Sequence, residues 1–552
     1  MRSALLTAGS ASLLAALLSA SPGFAADPPL AGKVASAEEG AMEGVLVTAK
    51  RAGSTISYTV VTDASGAYAF PAGKLEPGTY TLKIRAIGYE LDGAATADVA
   101  ADKGASADLK LRKAKNIVGQ MSNAEWLASM PGTQDQKTQL YGCTNCHTLQ
   151  RIVQSTHDKD EFLDTMARMA QYANNSFPLH PQIRVAETNA QARFGAGAEK
   201  FAAWLATINL SEAPSWSWPL KTLPRVKGKG TKVFITEYDL PKATTMPHDV
   251  ITDPADGKVF FSDFGAQMIG ELDPKTGKVT EHPYPLLREG FPQGGLNLER
   301  DESGVFWLSM MYQGGIVRFD RKTGETKAYP VPADRLNNAT QQALLAPNHR
   351  EVDGKVWATD VGLNEIHRVD TTTGAYETID PFKALPKTEH HSSYGMNADK
   401  GNNVWFNDFS GEAIGRIDAK TLETTMFKTP TPKSRPRRGH ITPDGKLAFG
   451  EFTADRAGIL DTNTGEMKEF QVPTPNTAPY DAVLDKNGDL WTAGMEADRI
   501  VRIDTKTGAA IEYPLPRQTN IRRVFVDNTT TPVTFWVGNN EGASIIKLEP
   551  LD

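Results

Sequence analysis

Val404-Trp405-Phe406-Asn407-Asp408, followed by Gly415-Arg416-Ile417-Asp418, is a phrase that recurs through the C-terminal part of this chain. Val259-Phe260-Phe261-Ser262-Asp263 leads in the same way to Asp273-Pro274-Lys275-Thr276-Gly277. Further copies are Val305-Phe306-Trp307 with Thr323-Gly324, Val356-Trp357 with Thr373-Gly374, Leu447-Ala448-Phe449 with Thr464-Gly465, and Leu490-Trp491 with Thr507-Gly508. A degenerate copy, Thr534-Phe535-Trp536, ends the series. Each copy is a short apolar strand, an acid, a second strand and a Thr-Gly hairpin turn, and the period of roughly 40 to 50 residues is that of propeller blades. Seven copies over 231–552 predict a seven-bladed β-propeller. Lys232 to Tyr238 precede the first copy and are expected to pair with the inner strands of the last blade, closing the ring.

Upstream of a Pro-rich linker (213–230) stands Cys143-Thr144-Asn145-Cys146-His147. The chain has only two cysteines, and both lie in this motif, so they are no structural staple. Two thiols at this spacing add to the two vinyl groups of one haem while the adjacent His reaches the iron. Zinc would need a second pair of soft ligands. The motif therefore predicts one covalent haem c held by Cys143, Cys146 and His147. Asp160 to Tyr172 has helical spacing, and Ala198 to Ile208 has the pattern of a closing helix, so 116–212 is expected to be an all-α cytochrome c domain. His157, His180, Met166 and Met169 are the distal-ligand candidates. The stretch resembles the haem domain of quinohaemoprotein amine dehydrogenases through Arg151-Ile152 and Arg168-Met169, and that resemblance implies Met169 as the second axial ligand of the haem iron.

The first 25 residues read as an export signal: Arg2, an apolar run from Ala4 to Ala20, then Gly23-Phe24-Ala25 before Ala26-Asp27. The expected location is the periplasm. Between 28 and 113 short alternating strands are separated by turns such as Asp63-Ala64-Ser65-Gly66. This region resembles carboxypeptidase regulatory-like sandwiches, through Thr62 to Phe70, Pro77 to Tyr80 and Gly88-Tyr89. The resemblance implies a non-catalytic module.

The propeller resembles the virginiamycin B lyase family, through Pro247-His248, Trp405-Phe406-Asn407-Asp408 and Gly415-Arg416-Ile417-Asp418. The resemblance implies His248 as a catalytic histidine, and Asp263, Asp408 and Glu451 as acids around a divalent cation, magnesium or calcium. This sequence departs from the family in placing Gln293 and Arg438 where blades begin, with His440 two residues on, and a cation there opposes a metal. Aligning the blades sets His248, Gln293, Asn348, Tyr394, Arg438, Tyr480 and Arg522 around the channel mouth, and His248, Tyr394, Arg438 and His440 are the candidate catalytic residues. Arg435, Arg437, Arg438, Arg522 and Arg523 offer a basic patch for an anionic substrate.

The sequence thus predicts a multidomain, mainly β chain: N-terminal β-sandwich, all-α cytochrome c domain, C-terminal seven-bladed propeller. Its mild charge of -7 carries no basic cluster for nucleic acid, and no later segment is apolar enough to span a membrane. The functional expectation is a periplasmic monohaem cytochrome or haem-dependent oxidoreductase. Its propeller would bind a small substrate or partner dehydrogenase, and its electrons would go to a soluble cytochrome or a respiratory chain. The alternatives are a metal-dependent lyase or hydrolase in the propeller and a non-catalytic interaction platform.

Overall fold

The structure is a computed structural model that describes residues 28–182, 184–185, 195–211, 214–346 and 354–552. The export signal and Asn348 lie outside the described residues.

Six four-stranded antiparallel sheets follow one another from Pro247 to Pro514, each with its strands in sequence order from the channel outward. Phe525–Asp527, Thr534–Asn539 and Ser544–Pro550 begin a seventh blade, and Val233–Asp239 completes it. The closing strand therefore pairs with the third strand of that blade, Val233 opposite Pro550 through Asp239 opposite Ser544, and is its outermost member. The expectation of pairing with inner strands is corrected. The inner position belongs to the short Phe525–Asp527 strand.

The repeated phrase has a physical reason at each position. Trp405 Nε1 donates to Asp399 Oδ2 at 2.6 Å, Trp491 Nε1 to Asp485 Oδ2 at 2.9 Å and Trp307 Nε1 to Asp301 Oδ2 at 2.9 Å, so buried indoles are satisfied by an acid six residues earlier. Gly415 lies under the ring of Phe406, where a Cβ would come within 2.0 Å of the ring, which bars any larger residue. The Thr-Gly turns need a positive φ, as at Gly277 (72°).

The N-terminal sandwich shares a sheet with the ring. Its strand Ile56–Val61 pairs antiparallel with Val233–Asp239, so blade seven continues through Leu46–Arg51, Gly78–Arg85 and Ala95–Val99 into one eight-stranded sheet. A second sheet, built on Leu30–Ser36 and Leu109–Lys113, packs over it. Phe234 of the closing strand is buried in the sandwich core beside Val47, Tyr80 and Leu82. The open edge of the last blade is thereby covered.

The all-α cytochrome c domain expected over 116–212 is overturned. The chain is mostly β, and among the described residues this segment contributes five α-helices, the longest being Lys159–Met169 and Ala198–Ile208 at 11 residues each. These two pack on one another. Trp126, Leu140, Phe162 and Phe201 share one apolar cluster with Met246, Phe264, Phe452 and Tyr480 of the propeller. The segment is a helical cap on the ring. No helix among the described residues is long and apolar enough to cross a membrane.

Candidate functional site

The cysteine motif lies on a turn, after a 3-10 turn at Leu140–Gly142 and before the helix Gln150–Val153. That turn sits on the loop between the second and third strands of the sixth blade and on the segment that enters the seventh. Thr144, fully buried, donates its hydroxyl to Glu496 Oε1 at 2.5 Å. Asn520 Nδ2 donates to the Thr144 carbonyl at 2.9 Å, and Arg522 Nη2 to the Asn145 carbonyl at 2.7 Å. Cys143 and Cys146 are half-buried and joined by no disulfide. His147 Nδ1 donates to the Thr148 carbonyl at 3.0 Å, which fixes the tautomer and leaves Nε2 with the lone pair. Burial lowers its pKa, keeping the ring neutral.

Met169, at the end of its helix, is 36% exposed, whereas Met166 on the preceding turn is buried in the shared core. Of the two, Met169 is available to a ligand and Met166 serves packing.

Beneath the turn, His248 is fully buried, donates through Nδ1 to Asp249 Oδ1 at 2.8 Å, and has no hydrogen-bond partner at Nε2. Burial pushes its pKa down to about 4 against the pull of Asp249. Its ring lies 4.7 Å from that of Phe264 and 6.0 Å from that of Tyr480. Tyr394 and Tyr480 join hydroxyl to hydroxyl. Burial raises the Tyr480 pKa, so the phenol stays neutral.

Strand register decides which arginine shares this mouth. Pro247, Ser393, Pro436 and Pro479 each stand opposite the last residue of their neighbouring strand, Asp263, Asp408, Glu451 and Gly494. The residues that follow are His248, Tyr394, Arg437 and Tyr480. Arg437, and not Arg438, is thus the equivalent of His248. Arg438 lies one residue deeper, where it clamps Asp249 with Nη1 at 2.7 Å and Nη2 at 2.6 Å. Burial disfavours the Asp249 charge, but Arg438 and Arg523 overcome this and hold the carboxyl well below its ordinary range. Arg438 Nε lies 3.8 Å from Asp481 Oδ2, which accepts from His440 Nε2 at 2.9 Å. His440 lines a cavity of about 680 Å³ with Glu299, Asn397 and Thr442. The four catalytic candidates are therefore divided: His248 and Tyr394 at the mouth, Arg438 locked in an ion network inside the channel, His440 at a separate cavity.

The three acids linked to a divalent cation do not converge. Asp263 Oδ1 accepts from the backbone of Met246, Gly265 and Ala266, and burial raises its pKa to about 6. Asp408 accepts from His391 Nδ1 at 2.6 Å and from two backbone amides. Glu451 is pushed up to about 8, by burial first and then by Glu469. Asp263 and Asp408 each close a loop of their own blade, and both carboxylate oxygens of Glu451 are buried without a hydrogen-bond partner. Among the described residues no group of three or more His, Cys, Asp or Glu side chains could hold a metal ion.

Sequence reasoning missed Glu496, Asn520, Glu541 and the aromatics Phe264, Phe409 and Phe452. None carries a local signal, because their role arises from juxtaposition with segments distant in sequence, 352 positions in the case of Thr144 and Glu496.

A family model of the virginiamycin B lyase family matches residues 383–550, and one of the carboxypeptidase regulatory-like domain matches residues 29–112. The ring is a virginiamycin B lyase-like propeller. Neither model reaches residues 113–382. Among solved structures, the virginiamycin B lyase of Staphylococcus aureus is 25% identical with a TM-score of 0.48, the match covering 57% of this chain and 99% of that one. A streptogramin B lyase structure is 22% identical, also at 0.48, covering 59% and 100%. No curated protein matches the chain.

Proposed function

We propose that this protein is an exported monohaem electron-transfer protein whose propeller holds the haem-bearing turn against a binding site in its channel mouth. The observation that carries this reading is the set of three hydrogen bonds inside the five-residue motif, Thr144 donating to Glu496 while Asn520 and Arg522 donate to the carbonyls of Thr144 and Asn145. The donor set fits a haem: two half-buried thiols three residues apart, and a neutral imidazole whose Nδ1 is occupied and whose Nε2 is not. Cys143 and Cys146 would hold it covalently, and His147 and Met169 would ligate its iron. When bound, haem supplies reversible one-electron chemistry. The propeller's part is to fix the turn and to shield the mouth, and the helical cap excludes water from it. A soluble cytochrome or a respiratory chain is the electron acceptor in this reading.

Expression with periplasmic haem-maturation machinery tests it. A covalent haem that survives acid extraction, lost in Cys146→Ala, is the expected result. Protein that accumulates folded without haem under those conditions overturns the reading. Reduced-minus-oxidised spectra with alcohols, amines and sugars then search for the donor. Met169→Ala should remove the weak sulfur-to-iron band at the red end of the spectrum with little loss of stability. Met166→Ala should keep that band and cost about 2–5 kcal/mol as a core cavity.

A further inference from the structure

The arginines of the channel mouth divide into two sets. Arg438 and Arg523 are neutralised by Asp249, and Arg523 also by Glu299 at 2.8 Å. Arg437 and Arg522 are as deeply buried, at 8% and 3% exposure, yet among the described residues no carboxylate lies within 4.0 Å of either guanidinium. Arg437 is held by rings instead: Tyr480 at 3.8 Å, Phe452 at 4.4 Å, Phe409 at 4.6 Å and Tyr394 at 5.3 Å. Its Nη1 meets only the sulfur of Met495, and its Nε has no partner. Arg522 stands over Phe264 at 4.8 Å and bonds to Asn520 and the motif backbone.

Neighbouring acids do not close the deficit. Glu496 and Glu541 are raised to about 8 and about 7, mainly by burial, so much of each is protonated near neutrality. Cation–π contact with the rings offsets only part of what taking a cation out of water costs. A third polar group points the same way: the Nε2 of His248, fully buried and unpartnered, next to Tyr480 and Phe264.

We infer that the channel mouth beneath the cysteine motif is an anion site that takes a carboxylate, gripped by Arg437 and Arg522 with His248 Nε2 alongside. Two observations select the class. Planar guanidinium forks match a carboxylate in two-point geometry. Aromatic rings form the walls, so the group carried by the carboxylate is flat and apolar. Two sources satisfy this chemistry: a small aromatic acid from solution, and the propionate side chains of haem itself. Glu541, which accepts from Asn520 beside Arg522, also lines a cavity of about 440 Å³ together with Thr148.

The inference deepens the proposed function by naming what the mouth binds, and its test is read with and without haem so that the two stand or fall separately. Radiolabelled benzoate is dialysed to equilibrium against the full chain made with haem maturation and against the full chain made without it. Binding of one equivalent to both forms, not competed by benzamide, supports a free acid as the occupant. Binding to the haem-free form alone supports the haem carboxylates. In either case Arg437→Met should weaken binding at least about tenfold, as loss of a charge-assisted pair does. Arg522→Gln is the second variant should the first not fold. Absence of benzoate binding to either form, or unchanged affinity in both variants, overturns the site.

Discussion

Thr144, the residue after the first motif cysteine, donates its hydroxyl to Glu496, a fully buried acid of the sixth blade, at 2.5 Å. A residue that carries no chemistry of its own thus joins the cysteine-motif turn to the propeller across 352 positions of sequence. Thr144→Val keeps the shape and removes the donor, leaving Glu496 under-satisfied. The expected cost is about 1–3 kcal/mol in urea unfolding, with covalent haem content unchanged.

The same acid sets a pH dependence. The Glu496 carboxyl is raised from 4.5 to about 8, burial being the main cause. Between those values the folded chain holds more protons than the unfolded one, so this contribution is fully present below about 4.5 and is lost as pH rises through 8. His248 acts oppositely: lowered to about 4, it costs stability as pH falls from 6.5 toward 4. Glu496→Gln has no proton to lose. Its urea midpoint should gain on that of the parent from pH 5 to pH 8, by at most about 1.4 kcal/mol per pH unit. Parallel profiles for the two proteins would refute this.

The ion network inside the channel makes a separate forecast. Arg438→Met leaves Asp249 buried with only Arg523 as a cationic partner and should cost about 3 kcal/mol. Adding Asp249→Asn removes the stranded charge, so the double variant should be less destabilised than the sum of the singles. A double-mutant cycle measured by chemical denaturation gives the coupling.

Deletion of residues 28–113 should impair the ring, since Ile56–Val61 covers the outer edge of the seventh blade and Phe234 is buried in the sandwich core. The expected product is an aggregating propeller, read as loss of the monomer peak in size-exclusion chromatography. A monodisperse, fully stable deletion product would assign the module a role apart from the fold.

Some of this was written locally. The ring followed from Trp405, Gly415 and Asp418 and their copies, because three blades repeat the same indole-to-acid bond and three the same glycine under a ring. The sandwich followed from its turns, and the proposal of a haem rests on five adjacent residues. What could not be read was where separate segments meet. The helices of 118–208 have the periodicity of a small domain, yet Trp126 and Phe162 belong to one apolar cluster with Phe264 and Phe452 of the ring, so they form a cap instead. Arg437 and Arg438 are neighbours of identical type, and a one-residue register decided that one faces an aromatic cage while the other is neutralised by Asp249. Sequence determined the elements through short-range sterics and hydrogen bonds. Tertiary structure alone decided which buried charges have partners, because a charge is compensated by whatever the fold brings within a few ångströms, at any separation along the chain.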